Sequence, residues 1–415
     1  MEFGFSKEQK KLMAEMREFC IKELPEDFNP DFTGRFREAK AEAFWKRFHQ
    51  KAAKKGWPSA GWPKEYGGLG LTPLEDAAVA SEMAYWGANW TGIMSMSLVA
   101  PTVLAVGTEE QKKRWIPQIA KGEITSFEAF TEPEAGSDES NMQLRAVPDG
   151  DDYILNGQKT FISGGVKPDW LFTICRTADV TPRHRGLSVF MVPGDAPGVS
   201  YRALPTMGGS QQNEIFYDHV RVPKENLLGE LNRGFYLAMT TFEYERAAGG
   251  GLGARRSMER IMEYARKEKK NGKPLYQDRK AREMLARLAI RRHLEFLFGW
   301  YTAWHRSQRE KLGPQRYNSG ILWHKLWPAW EGEQYGRVFG MYTQLKAKSK
   351  YAKYGGIPGR AWERMHSIHA AGSPEIRRVI IAERGLGLPR IPRKFNKMIN
   401  DELNKDKEAK SSQPK

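Results

Sequence analysis

The sequence predicts an α+β protein in three parts. These are an N-terminal helical domain (residues 1–127), a small middle β domain of barrel or sandwich type (128–232) and a C-terminal four-helix bundle (233–390), with a charged tail (391–415). Three observations carry this prediction. Apolar residues in the first third recur with the spacing of one helix face. Between about 128 and 232 the pattern changes to short apolar runs bounded by turn residues. Long helical periodicity then returns, broken at Asn271-Gly272-Lys273-Pro274, at Gly313-Pro314, at 354–359 and at Gly372-Ser373-Pro374.

Taken in order, Ser6 precedes Lys7-Glu8-Gln9, a capping box, and Leu12, Met13, Met16 and Phe19 continue one apolar face. A second amphipathic stretch covers 36–55. The Pro- and Gly-rich segment from Trp57 to Gly70 is a loop. Helices are expected over 73–86 and 92–106, and a further one is capped by Thr108 with Gln111 and ends near Gly122. In the middle part, 153–163 is read as a hairpin turning at Asn156-Gly157. Segments 170–175, 187–192, 214–217 and 220–222 are read as strands. A single helical pattern spans 235–265. The tail is charged and poor in apolar residues, which predicts disorder from about residue 400.

With 40% hydrophobic and 28% charged residues in 415, the chain has the composition of a soluble globular protein. No apolar run approaches the roughly 18 residues that span a bilayer. The start lacks the basic and apolar regions of a signal peptide. Two cysteines, Cys20 and Cys175, make no disulfide framework, and a cytoplasmic location is expected. The net charge of +16 favours anionic partners, but Lys and Arg are spread among Glu residues and no nucleic-acid module is present, so no nucleic-acid partner is expected.

Several residues are of a type to carry chemistry. Thr131-Glu132-Pro133-Glu134-Ala135-Gly136-Ser137-Asp138 lies where the helical part meets the β part. Pro presets one backbone angle and Gly permits others, so this is a shaped loop, either a plain junction or one aiming N–H groups and hydroxyls at a ligand. Gly249-Gly250-Gly251-Leu252-Gly253 does not have the dinucleotide spacing and follows no strand. Glycines within a helical pattern imply close approach, by another helix or by a flat ligand. Just before them, Phe242-Glu243-Tyr244-Glu245-Arg246 offers two carboxylates, either a solvated helix face or a general base. Burial would raise a carboxyl pKa there and Arg246 would oppose it. His366 and His369 share a helical spacing, but no carboxylate completes a ligand set, so no metal is expected. Trp300, Trp304, Trp323, Trp327, Trp330 and Trp362 are read as core or pocket wall.

Nearly the whole chain resembles the acyl-CoA dehydrogenase family. The signatures fall in the family's order: Trp62 to Gly68, Gly107 to Lys112, Thr131 to Asp138, Asn156 to Ser163, Asn226 to Glu230 and Gly372 to Arg378. The resemblance implies FAD, an oligomer (a homotetramer or a heterotetramer with a related chain) and dehydrogenation of an acyl-CoA to the trans-2-enoyl-CoA. An electron-transfer flavoprotein is the implied acceptor. By position, Phe130 and Thr131 match residues at the flavin ring, and Gly136 and Ser137 match the loop that meets the cofactor pyrophosphate and the CoA. Phe161 stands where the family has Trp, and Ser163 where Thr is common. Ser373 and Glu375 match cofactor contacts. Phe242, Glu243 and Arg246 match the strip along the pantetheine and the base.

Two positions depart from the commoner pattern. The residue before the Gly of the last motif, often the catalytic Glu, is Ala371 here. In a minority branch that handles branched, long or sterol-side-chain acyl groups, the Glu stands on the bundle helix directly before the Arg, and Glu245 holds that place. The backbone N–H of Ala371 is still expected to donate to the thioester oxygen, where negative charge develops. The region after the first bundle helix reads Asn271-Gly272-Lys273-Pro274, without the family's Arg-Lys-x-Phe-Gly contact to a neighbouring FAD, a form familiar in heteromeric members. The resemblance thus implies a catalytic dehydrogenase using Glu245. The alternatives are another flavin reaction on the same fold (oxidase, desulfinase or monooxygenase) and a non-catalytic partner subunit.

Overall fold

The structure is a computed structural model that describes residues 4–25, 39–88, 90–164, 167–206, 211–247, 252–312, 328–345, 349, 351 and 372–390. Five helices come first: α1 (Lys7–Glu23), α2 (Ala39–Ala53), α3 (Pro73–Trp86), α4 (Ala100–Val106) and α5 (Glu109–Ala120). Ser6 with Gln9, Thr72 with Glu75 and Thr108 with Gln111 close capping boxes, and Pro73 occupies the first turn of α3, where its missing N–H costs nothing. The helix expected over 92–106 opens as a π-helical turn, Ser95–Val99, before α4. There the Ser95 hydroxyl accepts the Ser126 N–H at 2.6 Å and fastens this helix to the first strand.

Eight strands follow: β1 (Ser126–Ala129), β2 (Arg145–Asp149), β3 (Asp152–Ser163), β4 (Trp170–Arg176), β5 (Leu187–Pro193), β6 (Val199–Pro205), β7 (Gln211–Pro223) and β8 (Leu227–Leu228). Their order is β6-β7-β3-β2-β4-β5-β8, with β1 pairing parallel to β4. The expected hairpin at Asn156-Gly157 is not formed. β3 runs straight through that dipeptide, and the turn lies earlier, where Asp149 pairs with Asp152. The reason is packing. A Cβ on Gly157 would fall 2.9 Å from the Leu144 Cα, so the glycine admits a neighbouring backbone rather than a turn. Asn156 faces a bulge in β7 and its side-chain oxygen accepts the His219 N–H at 2.9 Å.

α6 (Gly234–Ala247) lies on β5, and its Leu237 and Ala238 share one core with Val189 and Met191 of the sheet and Val99 and Val103 of the N-terminal helices. α7 (Ala254–Lys267), α8 (Arg279–Ser307) and a helix at Pro328–Phe339 share a separate core around Tyr264, Leu288, Tyr335 and Phe339. The helical pattern read over 235–265 is therefore two helices. At the break, a Cβ on Gly253 would fall 2.8 Å from the Ala84 carbonyl oxygen of α3, so this glycine serves helix packing. Gly249 to Gly251 lie outside the described residues, as do Trp323, Trp327, Trp362, His366, His369 and the tail. Trp300 is half-buried against Phe5, but Trp304 is 44% exposed and not core.

One buried group gives this fold a pH dependence. His49 of α2 is inaccessible, and its Nε2 donates to the Ala120 carbonyl at 2.9 Å. Burial pushes its pKa below the ordinary histidine value, with the carbonyl opposing. The unfolded chain then takes up the proton first as pH falls. The stability His49 contributes is complete above about pH 6.5 and declines below it. The melting temperature is expected to fall more between about pH 7.5 and about pH 5.5 in the wild type than in His49→Gln.

Candidate active site

β1 ends at Ala129 and delivers the chain into the 130–138 loop. Phe130 is buried, stacked on Phe172 of β4 with ring centroids 5.3 Å apart. Glu132 and Ala135 exchange backbone hydrogen bonds of 2.9 and 3.2 Å around Pro133-Glu134, a tight turn. Beyond it Gly136 and Ser137 are exposed, and nothing lies within 4 Å of a Cβ built on Gly136.

Two buried cations hold this loop from below. The Lys159 ammonium, fully inaccessible, donates to the Phe130 carbonyl at 2.8 Å and to the Glu132 carboxylate at 2.7 Å. Burial drives its pKa below the usual lysine value while Glu132 pulls it back up. The same carboxylate accepts the Gln143 and Leu144 N–H groups at 2.5 and 3.0 Å, so it joins the start of the loop to its end. Arg176 of β4 donates to the Met142 and Ser140 carbonyls at 2.8 and 2.7 Å.

The strand that carries Lys159 then reaches a bulge. Lys159 pairs with Ile215 and Ile162 with Asn213, so two residues of β3 face one of β7. Phe161, one of those two, has φ 57° and is 59% exposed. A left-handed aromatic residue is uncommon and costs on the order of 1–2 kcal/mol. Such a residue, turned outward beside an open loop, fits the flat face of a ring system. Thr160 N–H donates to the Thr131 carbonyl at 2.9 Å, which sets Phe130, Thr131, Phe161 and Ser163 on adjoining segments.

α6 closes the third side. Phe242 meets Phe130 edge to face at 6.0 Å. Glu245 follows it by three residues, on the same helix face, and is half-buried, whereas Glu243 is exposed. The Thr241 hydroxyl lies 3.0 Å from that of Thr102, which fixes α6 against α4. Of the remaining predicted site residues, Ser373 caps the Pro374–Ile380 helix by accepting the Ile376 N–H at 3.4 Å, and Glu375 lies 3.9 Å from Arg378. Ala371 and the Arg246 side chain are outside the described residues. The sequence reading did not single out Lys159, Arg176 or Phe172. Lys159 left one signal, the only charged residue between Tyr153 and Ser163 in a strand pattern.

A helical N-terminal layer, a mixed sheet and a helical C-terminal part, in that order, match the architecture of a flavin-dependent dehydrogenase. The comparisons make this specific. The chain matches the acyl-CoA dehydrogenase N-terminal domain over residues 6–123, the middle domain over 128–220 and the C-terminal domain over 232–322. Acyl-CoA dehydrogenase FadE26 of Mycobacterium tuberculosis is 30% identical, over 95% of this chain and 100% of that protein. The ChsE4-ChsE5 complex from Mycobacterium tuberculosis has a chain 30% identical, with TM-score 0.80 over 94% of this chain and 100% of that one. The Tcur3481-Tcur3483 steroid ACAD is 29% identical, with TM-score 0.81 over 94% and 100%. The chain belongs to the acyl-CoA dehydrogenase family. It is an oxidoreductase acting on acyl-CoA with FAD as cofactor. Among the described residues no helix is long and apolar enough to cross a membrane.

Proposed function

We propose that this chain converts a bulky acyl-CoA to its trans-2-enoyl-CoA with Glu245 as the base for the α-proton. The observation that supports this is the edge-to-face meeting of Phe242 with Phe130, because Glu245 follows Phe242 by three residues on the same face of α6. Glu243, on the exposed side, is the poorer base. In this reading Phe130, Thr131, Gly136, Ser137, Phe161, Ser163, Ser373 and Glu375 hold FAD. Ser137, Phe242, Glu243, Arg246 and the backbone at Ala371 line the path of the CoA thioester. FAD, when bound, supplies the acceptor for the hydrogen that leaves the β-carbon with its electron pair. Glu245 takes the α-hydrogen as a proton. A backbone N–H at position 371 stabilises the charge that grows on the thioester oxygen.

The steroid ACAD among the similar structures supports a large acyl group. Electron-transfer flavoprotein is the proposed acceptor. The similar structures include two-chain complexes, which supports assembly with a related chain and gives a second reading, a non-catalytic partner subunit. Anaerobic titration of the purified protein with a panel of acyl-CoAs separates the two. Bleaching of the 450-nm region, roughly where oxidised flavin absorbs, by a branched or polycyclic acyl-CoA is expected. A colourless protein that gains activity only with another chain would favour the second reading.

A further inference from the structure

The ion pair beneath the loop is costly to build and does more than fill the core. Taking two charges out of water loses several kcal/mol of solvation per ion, and apolar residues of similar volume are often as stabilising. What the pair has that apolar residues lack is direction. Lys159 reaches the carbonyl of Phe130 and the carboxylate of Glu132. Glu132 reaches two N–H groups at the far end of the same loop. Two residues beyond Lys159 the strand presents Phe161, and one residue before Glu132 stands Thr131. The pair is therefore the mechanical joint between the two segments proposed to face the cofactor.

We propose that Glu132 and Lys159 are positioning residues for FAD, setting the 130–137 loop and the Phe161–Ser163 end of β3 at the separation the cofactor needs. This rests on the FAD assignment of the site. Without the lysine, the Phe130 carbonyl and the Glu132 carboxylate lose their common donor, and among the described residues loop and strand keep the Thr160–Thr131 backbone hydrogen bond. The cofactor would then have to order the loop on binding, and its affinity would fall.

The test compares FAD dissociation constants and bound-flavin absorption spectra for the full-length wild type, Lys159→Met, Glu132→Gln and, as a control, Leu285→Ala in the bundle core. Lys159→Met is expected to weaken FAD binding about tenfold or more and to shift the bound flavin band, with far-UV circular dichroism retained. Glu132→Gln keeps one acceptor for the backbone N–H groups and is expected to lose less. Leu285→Ala should lower the melting temperature and leave FAD affinity and spectrum unchanged, which a general loss of stability in the two loop variants would not reproduce. Wild-type affinity and spectrum in Lys159→Met overturn the inference. If that variant does not fold, the same result in Glu132→Gln does so. A wild-type protein that binds no FAD overturns the cofactor reading and this inference together, an outcome distinct from tight binding by every variant.

Discussion

Glu245→Gln is expected to bind FAD like the wild type and to fail to bleach with any acyl-CoA. Glutamine keeps the size of the side chain and its place on α6, so the contact of Phe242 with Phe130 survives. What is removed is the ability to accept a proton. General bases of this kind contribute about 10²–10⁴-fold, so flavin reduction should slow by about that factor at saturating substrate. Binding should change little, because the amide still occupies the same volume, and the loss should fall on kcat rather than KM. Glu243→Gln is the comparison. Its side chain is exposed and proposed to line the CoA path, so the change should fall on KM, with reduction at saturating substrate within a few-fold of wild type. Stopped-flow absorbance under anaerobic conditions measures both. Rapid bleaching by Glu245→Gln would rule the residue out as the base.

Arg292→Met is expected to destabilise the C-terminal helices more than any surface charge change. Arg292 of α8 is 6% exposed. It donates to Glu295 at 2.6 Å on the same helix and to Glu331 at 3.0 Å on the Pro328–Phe339 helix, and both carboxylates are themselves buried. Burial disfavours the guanidinium charge, but Glu331 and Glu295 outweigh it and hold the pKa above the ordinary arginine value. Removing the cation takes from two buried carboxylates the guanidinium they share, with Arg291 still acting on both, a loss of about 3–5 kcal/mol. Replacing all three residues with apolar ones of similar volume should recover most of that, since the charges need one another more than the bundle needs charges. Thermal unfolding followed by circular dichroism, with hydrogen exchange on α8, separates the outcomes. Equal melting of Arg292→Met and wild type would mean that water reaches the triad.

Much of this molecule was legible in the linear chain because its signals are local. The capping boxes at Ser6 and Thr108 each satisfy backbone N–H groups within three residues, so the starts of α1 and α5 follow from the local residue order alone. The family resemblance is equally a property of the string, because its motifs are short and occur in a fixed order. The readings that failed depended on distant neighbours. Asn156-Gly157 carries the strongest short-range hairpin signal, yet Leu144 claims the space beside the glycine and β7 supplies the bulge, so the strand continues. The helical pattern over 235–265 could not reveal its interruption, because the reason for Gly253 is the Ala84 carbonyl on α3.

The sequence by itself determined the class of the protein, the order of its helical and β parts, and where the 131–138 segment, Glu245 and Ala371 fall in that order. Only the tertiary structure decided how these meet. Phe130 reaches Phe242 across the domain junction, and Lys159 of one motif pairs with Glu132 of another. Phe161 is turned outward by a bulge that exists only in the register of β3 with β7. The physical reason is the same in each case. Propensity and capping act over a few residues of one chain segment, whereas ring packing, buried ion pairs and strand register are set by groups tens of residues apart that meet only when the core forms.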